Sequence, residues 1–155
     1  MTSIANTSGG IEYLDTIEPL WIKLNDWHHV HSPHFSHVFR NRTFANRKTM
    51  LNAKLAEGKV RIDLAYPSNS PHLIGYCLST INLRHIGEVD SIFVEANFRG
   101  QGIASRLMQS ALNWMDLNHV ERKTIQVATG NEAVFRFYEK FGFYPANYIL
   151  MQTTE

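Results

Sequence analysis

The sequence contains one cysteine, Cys77, among its 155 residues. An internal disulfide is therefore excluded, and the apolar residues around Cys77 favour a buried thiol over a nucleophile. Basic and acidic side chains nearly balance, 15 to 14, so the chain lacks the basic excess that is typical of nucleic-acid-binding proteins. No apolar run is long enough for a membrane span, and the start, MTSIANTSGG, has no signal-peptide pattern. These absences favour a cytoplasmic protein that binds neither nucleic acid nor a membrane.

The chain length suits one ordinary domain with its own core, and 44% of the residues are hydrophobic. No internal repeat or interdomain linker interrupts it. We expect a single domain over residues 1–155. The Ser/Thr/Gly-rich residues 1–9 are predicted to form a flexible leader.

The first half of the sequence is predicted to be mostly helical. Residues 11–14 read as a short strand, and Asp15 or Thr16 is placed to cap a helix that carries Pro19 in its first turn. Ser32-Pro33 should end that helix and begin a second one, which is predicted to run to Glu57. Its polar middle, residues 41–48, is compatible with a break.

From Lys59 the hydrophobic period changes from that of a helix to that of strands. Residues 60–64 and 73–81 are predicted to form a hairpin, and residues 88–94 to form the next strand. Strict alternation in this last strand predicts that Glu88, Asp90, Ile92 and Val94 share one face.

The second half alternates strand and helix. A helix is predicted over 103–117, a strand over 123–129, a last helix that carries Tyr138, and terminal strand material over 141–152. A strand–helix–strand unit implies a parallel pair. The predicted fold class is therefore α/β (α+β), with a mixed, mostly antiparallel sheet flanked by about four helices.

The segment RGQGIAS, residues 99–105, lies between a predicted strand and a predicted helix. Glycines let the backbone approach a ligand closely, and the free amides at a helix start favour a phosphate. The P-loop pattern does not apply, because Ile103 and Ala104 follow Gly102 where Lys and Ser or Thr would be needed.

In its context this segment resembles the acyl-CoA pyrophosphate site of the GNAT family of N-acetyltransferases, with Arg99, Gly102 and Ala104 at the pattern positions. The stretch NEAVFRFYEKFGF, residues 131–143, is similar to the second signature of that family. The resemblance implies the GNAT fold, in which a parallel strand pair splays apart, and transfer of an acetyl group from acetyl-CoA to an amine. Dimers are common in the family, so the resemblance also allows a homodimer. The alternative is an acyl-CoA sensor or interaction module without turnover.

The resemblance also assigns roles to residues. Tyr138 is expected to protonate the leaving sulfur, unless it is only a core tyrosine. Asp90 is the expected base, with Glu88 as its substitute near the substrate, and ordered water is the other alternative. Asn131 either contacts the coenzyme or only caps a helix. The remaining residues expected to bind the coenzyme are Ile92, Phe93, Val94, Arg99, Gly100, Gln101, Gly102, Ile103, Ala104 and Ser105.

Five of the eight histidines lie in one short run, WHHVHSPHFSH, residues 27–37. A metal site, a pH switch and a wall of the acceptor cleft are the three explanations. Pro33 splits the run between two predicted helices, so convergence of three ligands on a metal is not favoured. We predict that the run forms part of the acceptor wall, that His31 or His34 binds substrate, and that no metal is needed. Because this wall has no acidic cluster, the expected acceptor is a small amine, an amino acid or a peptide.

Overall fold

The structure is a computed structural model that describes residues 2–154. One five-stranded sheet, in the order β1-β2-β3-β4-β5, forms its centre; neighbouring strands are antiparallel except for the parallel pair β4 and β5. The strands are β1 (Ile4–Gly9), β2 (Lys59–Pro67), β3 (Gly75–Ile81), β4 (Ile86–Val94) and β5 (Arg122–Ile125). The helices are α1 (Glu18–His31), α2 (Ser36–Arg40), α3 (Phe44–Leu55), α4 (Ile103–Leu117) and α5 (Phe135–Glu139). The predicted fold class is confirmed.

The N-terminal segment differs from the prediction. Residues 4–9, expected as part of a flexible leader, form the edge strand β1, which pairs with β2 from Ile4 opposite Pro67 to Gly9 opposite Ile62. Its four middle residues are exposed, so no hydrophobic alternation marks the strand, and backbone pairing is what defines it. The strand predicted over 11–14 is wrong, because Ile11–Tyr13 and Asp15–Ile17 are single turns of 3-10 helix.

The helix boundaries also differ in detail. Helix α1 begins at Glu18 without a side-chain cap, so neither Asp15 nor Thr16 caps it. The predicted second helix is two helices, since residues 41–43 lie between α2 and α3. The Thr43 hydroxyl accepts a hydrogen bond from the Asn46 amide at 3.1 Å and so begins a new helix there.

Two hydrophobic cores lie on opposite faces of the sheet. On one face, α4 packs its buried side chains, among them Leu107, Met108 and Met115, against Cys77 and Val89. On the other face, α1 and α3 pack against β2 and β3. The buried side chains there include Leu20, Trp21, Phe44, Leu51, Ile62 and Tyr76. The predicted helix over 103–117 is confirmed by α4, whose apolar stripe explains why the sequence identified it.

The C-terminal part is less regular than predicted. β5 ends at Ile125, and α5 ends at Glu139 after a 3-10 turn over Glu132–Val134. Within the described residues, no helix or strand follows α5, so the terminal strand predicted over 141–152 is not formed. A strand needs a neighbour for its backbone groups, and the sequence pattern alone does not supply one.

None of the helices in residues 2–154 is long and apolar enough to cross a bilayer.

Candidate active site

The cleft opens where β4 and β5 separate. The two strands pair from Ile86 opposite Arg122 to Val89 opposite Ile125, and β4 then continues alone to Val94. In the described part of the chain, residues 90–94 therefore have no β5 partner. A cavity of about 60 Å³ lies at this point. It is lined by Leu24, His28, Val89, Asp90, Ser91, Ile92, Ile125, Gln126, Val127, Ala128, Asn131 and Tyr138.

A β-bulge lies in β4 at the edge of this cleft. In the ladder with β3, Leu78 is opposite Ser91 and Ser79 is opposite Val89, so Asp90 is the additional residue. Such a bulge interrupts the alternation of side chains between the two faces of a strand.

The bulge changes which side chains share a face. Glu88 and Asp90 both bind Lys54 of α3, which confirms that the two carboxylates lie on the same side. Ile92 and Val94 instead pack into the core beneath α4. The prediction that these two residues share the face of the carboxylates is wrong, because it assumed unbroken alternation.

Asp90 is held by hydrogen bonds at both carboxylate oxygens. Lys54 Nζ donates to Oδ1 at 2.7 Å and Thr80 Oγ1 donates to Oδ2 at 2.6 Å, while Arg47 Nη2 lies 3.7 Å from Oδ1. The side chain is 4% exposed. Burial raises the pKa of Asp90, and the hydrogen bonds from Lys54 and Thr80 only partly offset this effect. Asp90 is therefore a fixed carboxylate that takes up a proton more readily than an exposed aspartate.

Tyr138 and Asn131 line the cleft together with residues of β4. Tyr138 belongs to α5, and burial, assisted by the nearby Cys77, raises its pKa to about 12. Its hydroxyl therefore keeps its proton throughout the neutral pH range. Asn131 stands at the start of the turn before α5, but its side chain makes no capping hydrogen bond. Its amide is thus not committed to the role of a helix cap.

The glycine loop has the backbone geometry that close approach of a ligand requires. Gly100 and Gly102 have φ angles of +77° and +75°, in the left-handed region, and no atom lies within 4 Å of the position that a Cβ would occupy at either residue. Helix α4 begins directly after Gly102, so its first amide groups have no partner within the helix. Gln101 Oε1 is buried and has no hydrogen-bond partner in the described residues. The open glycines and the free amides at the start of α4 fit an anionic group such as a pyrophosphate, whereas Gln101 Oε1 is an acceptor and does not contribute to anion binding.

Other residues of the expected coenzyme site are partly engaged within the protein. Arg99 Nε donates to the Val94 carbonyl at 2.8 Å, and its guanidinium lies over the Phe93 ring at 5.3 Å. Arg99 thus joins the loop to the end of β4. Ile103 is 2% exposed and belongs to the core, so only its backbone faces the loop. Ala104 and Ser105 lie in the first turn of α4.

The histidine run does not place the predicted residues at the cleft. His31 stacks on Trp27, with ring centroids 3.8 Å apart, and its Nδ1 is 2.8 Å from the carbonyl oxygen of Trp27 in its own helix. His31 and His34 are exposed and do not line the cavity, whereas His28 does. In residues 2–154, no group of three or more His, Cys, Asp or Glu side chains is arranged to hold a metal ion.

His28 is the cleft residue that the sequence interpretation missed. It packs against Phe39 with ring centroids 5.1 Å apart, and burial lowers its pKa, with further lowering by Arg42 and His31. Its imidazole is therefore neutral at neutral pH. The signal was present in the sequence, since Leu20, Leu24 and His28 repeat every four residues along the inner face of α1.

A larger cavity of about 470 Å³ lies between α1, α2 and the start of α3. Trp21, Asn25, His29 and Arg42 are among its lining residues. None of the residues expected to act in catalysis or to bind the coenzyme borders it, so the smaller cleft at the strand splay is the candidate active site.

Residues 16–143 match the model of the acetyltransferase (GNAT) family. This match covers most of the chain, and the protein belongs to the GNAT acetyltransferase family. The predicted family is thereby confirmed.

Individual relatives agree with this assignment. N-alpha-acetyltransferase 30 of Saccharomyces cerevisiae is 32% identical over 62 residues, which are 40% of this chain and 35% of that protein. The alignments span about a third of the length of the curated relatives. A solved structure from Pyrococcus furiosus, described as an acetyl transferase, superposes with a TM-score of 0.72 at 23% identity over 99% of this chain and 100% of that one. The aminoglycoside N-acetyltransferase AAC(6')-Iy, solved with CoA, superposes with a TM-score of 0.65 at 15% identity over 99% of this chain and 96% of that one. Both solved structures are similar to this chain in fold.

Proposed function

We propose that the protein is an N-acetyltransferase that moves an acetyl group from acetyl-CoA to a primary amine of a small molecule, an amino acid or a peptide. The observation that carries this proposal is the meeting of Asp90, Tyr138 and His28 at one cleft, where β4 and β5 separate. The open glycine loop stands between the end of β4 and the start of α4. Family membership supports the transfer of an acetyl group.

The coenzyme would be held at two places. The amides of residues 100–105 would bind the pyrophosphate. The glycines leave open space for it, and the positive end of the α4 dipole attracts its negative charge. The free edge of β4 over Ile92–Val94 would bind the pantetheine arm in the manner of an added strand. Asn131, whose side chain is not used as a cap, would bind near the reacting end. The coenzyme supplies an activated thioester.

Asp90 is the proposed general base. An acceptor amine is mostly protonated at neutral pH and must lose a proton before it attacks. The hydrogen bonds from Lys54 and Thr80 fix the carboxylate in the cleft, and the raised pKa makes it a better proton acceptor than an ordinary aspartate. Because both oxygens are engaged, we propose that the proton reaches Asp90 through a water molecule. Glu88, expected as the substitute base near the substrate, is proposed instead to be a positioning residue that shares Lys54 with Asp90.

Tyr138 is the proposed general acid. Its raised pKa keeps the proton on the hydroxyl at neutral pH, so the hydroxyl can donate it to the leaving sulfur as the C–S bond breaks. His28 is proposed to take the role in acceptor binding that the sequence assigned to His31 or His34. As a neutral imidazole, it offers a hydrogen bond to the amine without repelling its positive charge.

The acceptor is proposed to be a simple amine rather than a polycation. Lys54 already neutralises part of the charge of Glu88 and Asp90, so the cleft has no strong negative field for a multiply charged substrate. Similarity to a protein named as an N-alpha-acetyltransferase makes peptide α-amines the first group to test.

The test is a thiol-release screen with acetyl-CoA against amines, amino acids and peptides, run in parallel with the Tyr138→Phe variant. We expect CoA release that depends on at least one acceptor and falls sharply in the variant. Saturable acetyl-CoA binding without turnover on any acceptor would instead favour a sensor, and failure to bind acetyl-CoA would contradict both functions.

A further inference from the structure

The side of the cleft that α3 forms carries positive charge. Lys54 Nζ lies 2.7 Å from Asp90 Oδ1, and Arg47 Nη2 lies 3.7 Å from the same oxygen. Arg47 and Lys54 are about two turns apart on α3, which places them on one face of that helix. Because Asp90 lines the cleft, this cationic face of α3 borders it.

Arg42, which lies just before α3, extends this charge toward His28. Its guanidinium carbon lies 4.9 Å from the centroid of the Phe39 ring, and that ring packs against the His28 imidazole with 5.1 Å between centroids. Burial, followed by the charge of Arg42, lowers the pKa of His28. Since His28 lines the cleft, the field of Arg42 reaches the proposed acceptor site.

The cations on this side exceed the carboxylates that face them. Glu88 and Asp90 both bind Lys54, and Arg47 approaches Asp90, so three cations share two carboxylates. Arg42 forms no salt bridge within the described residues. Burial and then the like charge of Arg47 lower the pKa of Arg42, which means that its surroundings disfavour the uncompensated cation. One positive charge is therefore left over beside the cleft.

Both guanidinium groups also have unused hydrogen-bond donors. A guanidinium has several N–H donors, yet neither Arg42 nor Arg47 makes a side-chain hydrogen bond to any residue in 2–154. The Arg47 side chain is 21% exposed, so the protein shields most of it from water. Glu18 and Asp26 line the larger cavity together with Arg42, but in the part of the chain that the structure describes neither forms a salt bridge with it. The two arginines are therefore able to bind an anion from outside the chain.

The coenzyme does not account for these arginines. The glycine loop leads into α4, which packs on one face of the sheet through Ile103 and Leu107. Helix α3 packs on the opposite face through Phe44 and Leu51. The proposed pyrophosphate site and the two arginines are thus on different sides of the sheet. An anion bound by the arginines would belong to the acceptor.

We infer that the acceptor carries a carboxylate close to its amine, and that Arg42 and Arg47 bind this carboxylate while Asp90 serves the amine. The inference rests on the proposed function and narrows the class of acceptor. Arg47 Nη2 and Asp90 Oδ1 are 3.7 Å apart, so one small molecule can contact both residues through a carboxylate and an adjacent amine. A guanidinium binds a carboxylate through paired, charge-assisted hydrogen bonds. Free α-amino acids and peptides with an acidic residue near their start share this chemistry, whereas the excess positive charge would repel a polyamine.

The first test compares acceptors that differ only in the carboxylate. In a thiol-release assay with acetyl-CoA, each standard amino acid is paired with its carboxamide, and peptides that begin with serine and aspartate are paired with peptides that begin with serine and asparagine. We expect the carboxylate to raise kcat/KM about tenfold or more in one of the two series, which is the usual effect of a charged hydrogen bond. The series that shows the effect identifies the source of the carboxylate. Turnover of the neutral partners that equals or exceeds that of the acids would overturn the inference.

The second test assigns the carboxylate to the arginines. Arg42→Gln should raise the KM of the carboxylate-bearing acceptor about tenfold and leave the KM of its neutral partner and that of acetyl-CoA unchanged. Arg42→Lys keeps the charge and should retain part of the preference. The matched control is Arg84→Gln, because Arg84 is exposed between β3 and β4 and lines neither cavity, so the preference should stay unchanged. A preference for the acids that survives both Arg42→Gln and Arg47→Gln would overturn the assignment.

A binding measurement separates this inference from the proposed function. Calorimetry with CoA in place of acetyl-CoA gives the affinity for the same acid and neutral pairs without turnover. Tighter binding of the acids, weakened by Arg42→Gln, supports the inference even where no acceptor is acetylated, whereas absence of turnover on every acceptor contradicts the proposed function alone. Equal affinity within every pair would overturn the inference.

Discussion

Lys54 Nζ donates a hydrogen bond to Asp90 Oδ1 at 2.7 Å, although 36 positions separate the two residues in the sequence. The same ammonium group donates to Glu88. Burial alone would lower the pKa of Lys54, but its two carboxylate partners raise it overall. Lys54 is therefore charged at neutral pH and fixes Asp90 at the mouth of the β4–β5 splay.

If Asp90 is the base, Asp90→Asn should lower turnover by about a hundredfold at neutral pH, which is the usual contribution of a general base. In the wild type, turnover should fall as the pH drops through the raised pKa of Asp90, because protonation removes the base. This acidic limb should be absent from Asp90→Asn. The measurement is the pH profile of turnover on a confirmed acceptor.

Glu88→Gln is the matched control, since Glu88 shares Lys54 with Asp90 and lies on the same face of β4. It should retain the acidic limb. If all three proteins show the same profile, water or the substrate itself carries the proton and Asp90 has only a structural role.

The Tyr138 hydroxyl is predicted to act only in the chemical step. Tyr138→Phe keeps the ring that packs beside Phe137, so the fold and the affinity for acetyl-CoA should stay nearly unchanged. Turnover should fall by about a hundredfold or more, as expected for the loss of a general acid. Because burial raises the pKa of Tyr138 to about 12, the wild type should show no loss of this acid between pH 6 and 9, a range that lies well below that value.

Tyr144→Phe provides the control for this prediction, because Tyr144 is 70% exposed and does not line the cleft. Its turnover should match the wild type. If the turnover of Tyr138→Phe stays within twofold of the wild type, Tyr138 is only a core residue and does not act as the general acid.

The elements that could be predicted are those whose burial pattern is periodic. α4 packs one apolar stripe on the sheet, and its boundaries follow from that stripe. β1 has no such pattern, since its middle residues are exposed and only its backbone pairing with β2 defines it. Periodicity detects side-chain burial and not backbone pairing, which is why the edge strand was missed.

The candidate site was predictable in part for the same reason. Gly102 and Tyr138 belong to local motifs, so the sequence alone indicates them. The position of Asp90 depends on a bulge against β3, and that of His28 depends on which face of α1 meets the sheet. The bulge is a tertiary relationship that local spacing does not encode, whereas the four-residue spacing of Leu20, Leu24 and His28 indicates the inner face of α1 but not what that face meets.

Gly102 is predicted to be required for coenzyme affinity. Gly102→Val forces a β-branched side chain into a left-handed conformation, φ +75°, and fills the open side of the loop. The affinity for acetyl-CoA should fall at least tenfold, or about 1.4 kcal/mol. Isothermal titration calorimetry on the folded variant measures this change.

Gly142→Val is a closely matched control, because Gly142 has φ +82° and also has no atom within 4 Å of an added Cβ. It imposes similar backbone strain far from the loop in sequence. Equal coenzyme affinity for the two folded variants would show that the loop does not bind the pyrophosphate.

His28 is predicted to couple acceptor binding and stability to pH. Its folded pKa lies below the ordinary value of 6.5, so the unfolded chain takes up a proton more readily than the folded one. The contribution of His28 to stability is therefore present above pH 6.5 and is lost as the pH falls through the lowered folded pKa. His28→Gln should reduce this loss, measured as the change in free energy of unfolding in urea between neutral and mildly acidic pH.

The same variant should raise the acceptor KM about tenfold, as expected for a disrupted hydrogen bond, with little change in the KM for acetyl-CoA. His34→Gln, at an exposed position outside the cleft, should leave both quantities unchanged. If His34→Gln and not His28→Gln raises the acceptor KM, the acceptor binds outside the cleft, near the segment between α1 and α2.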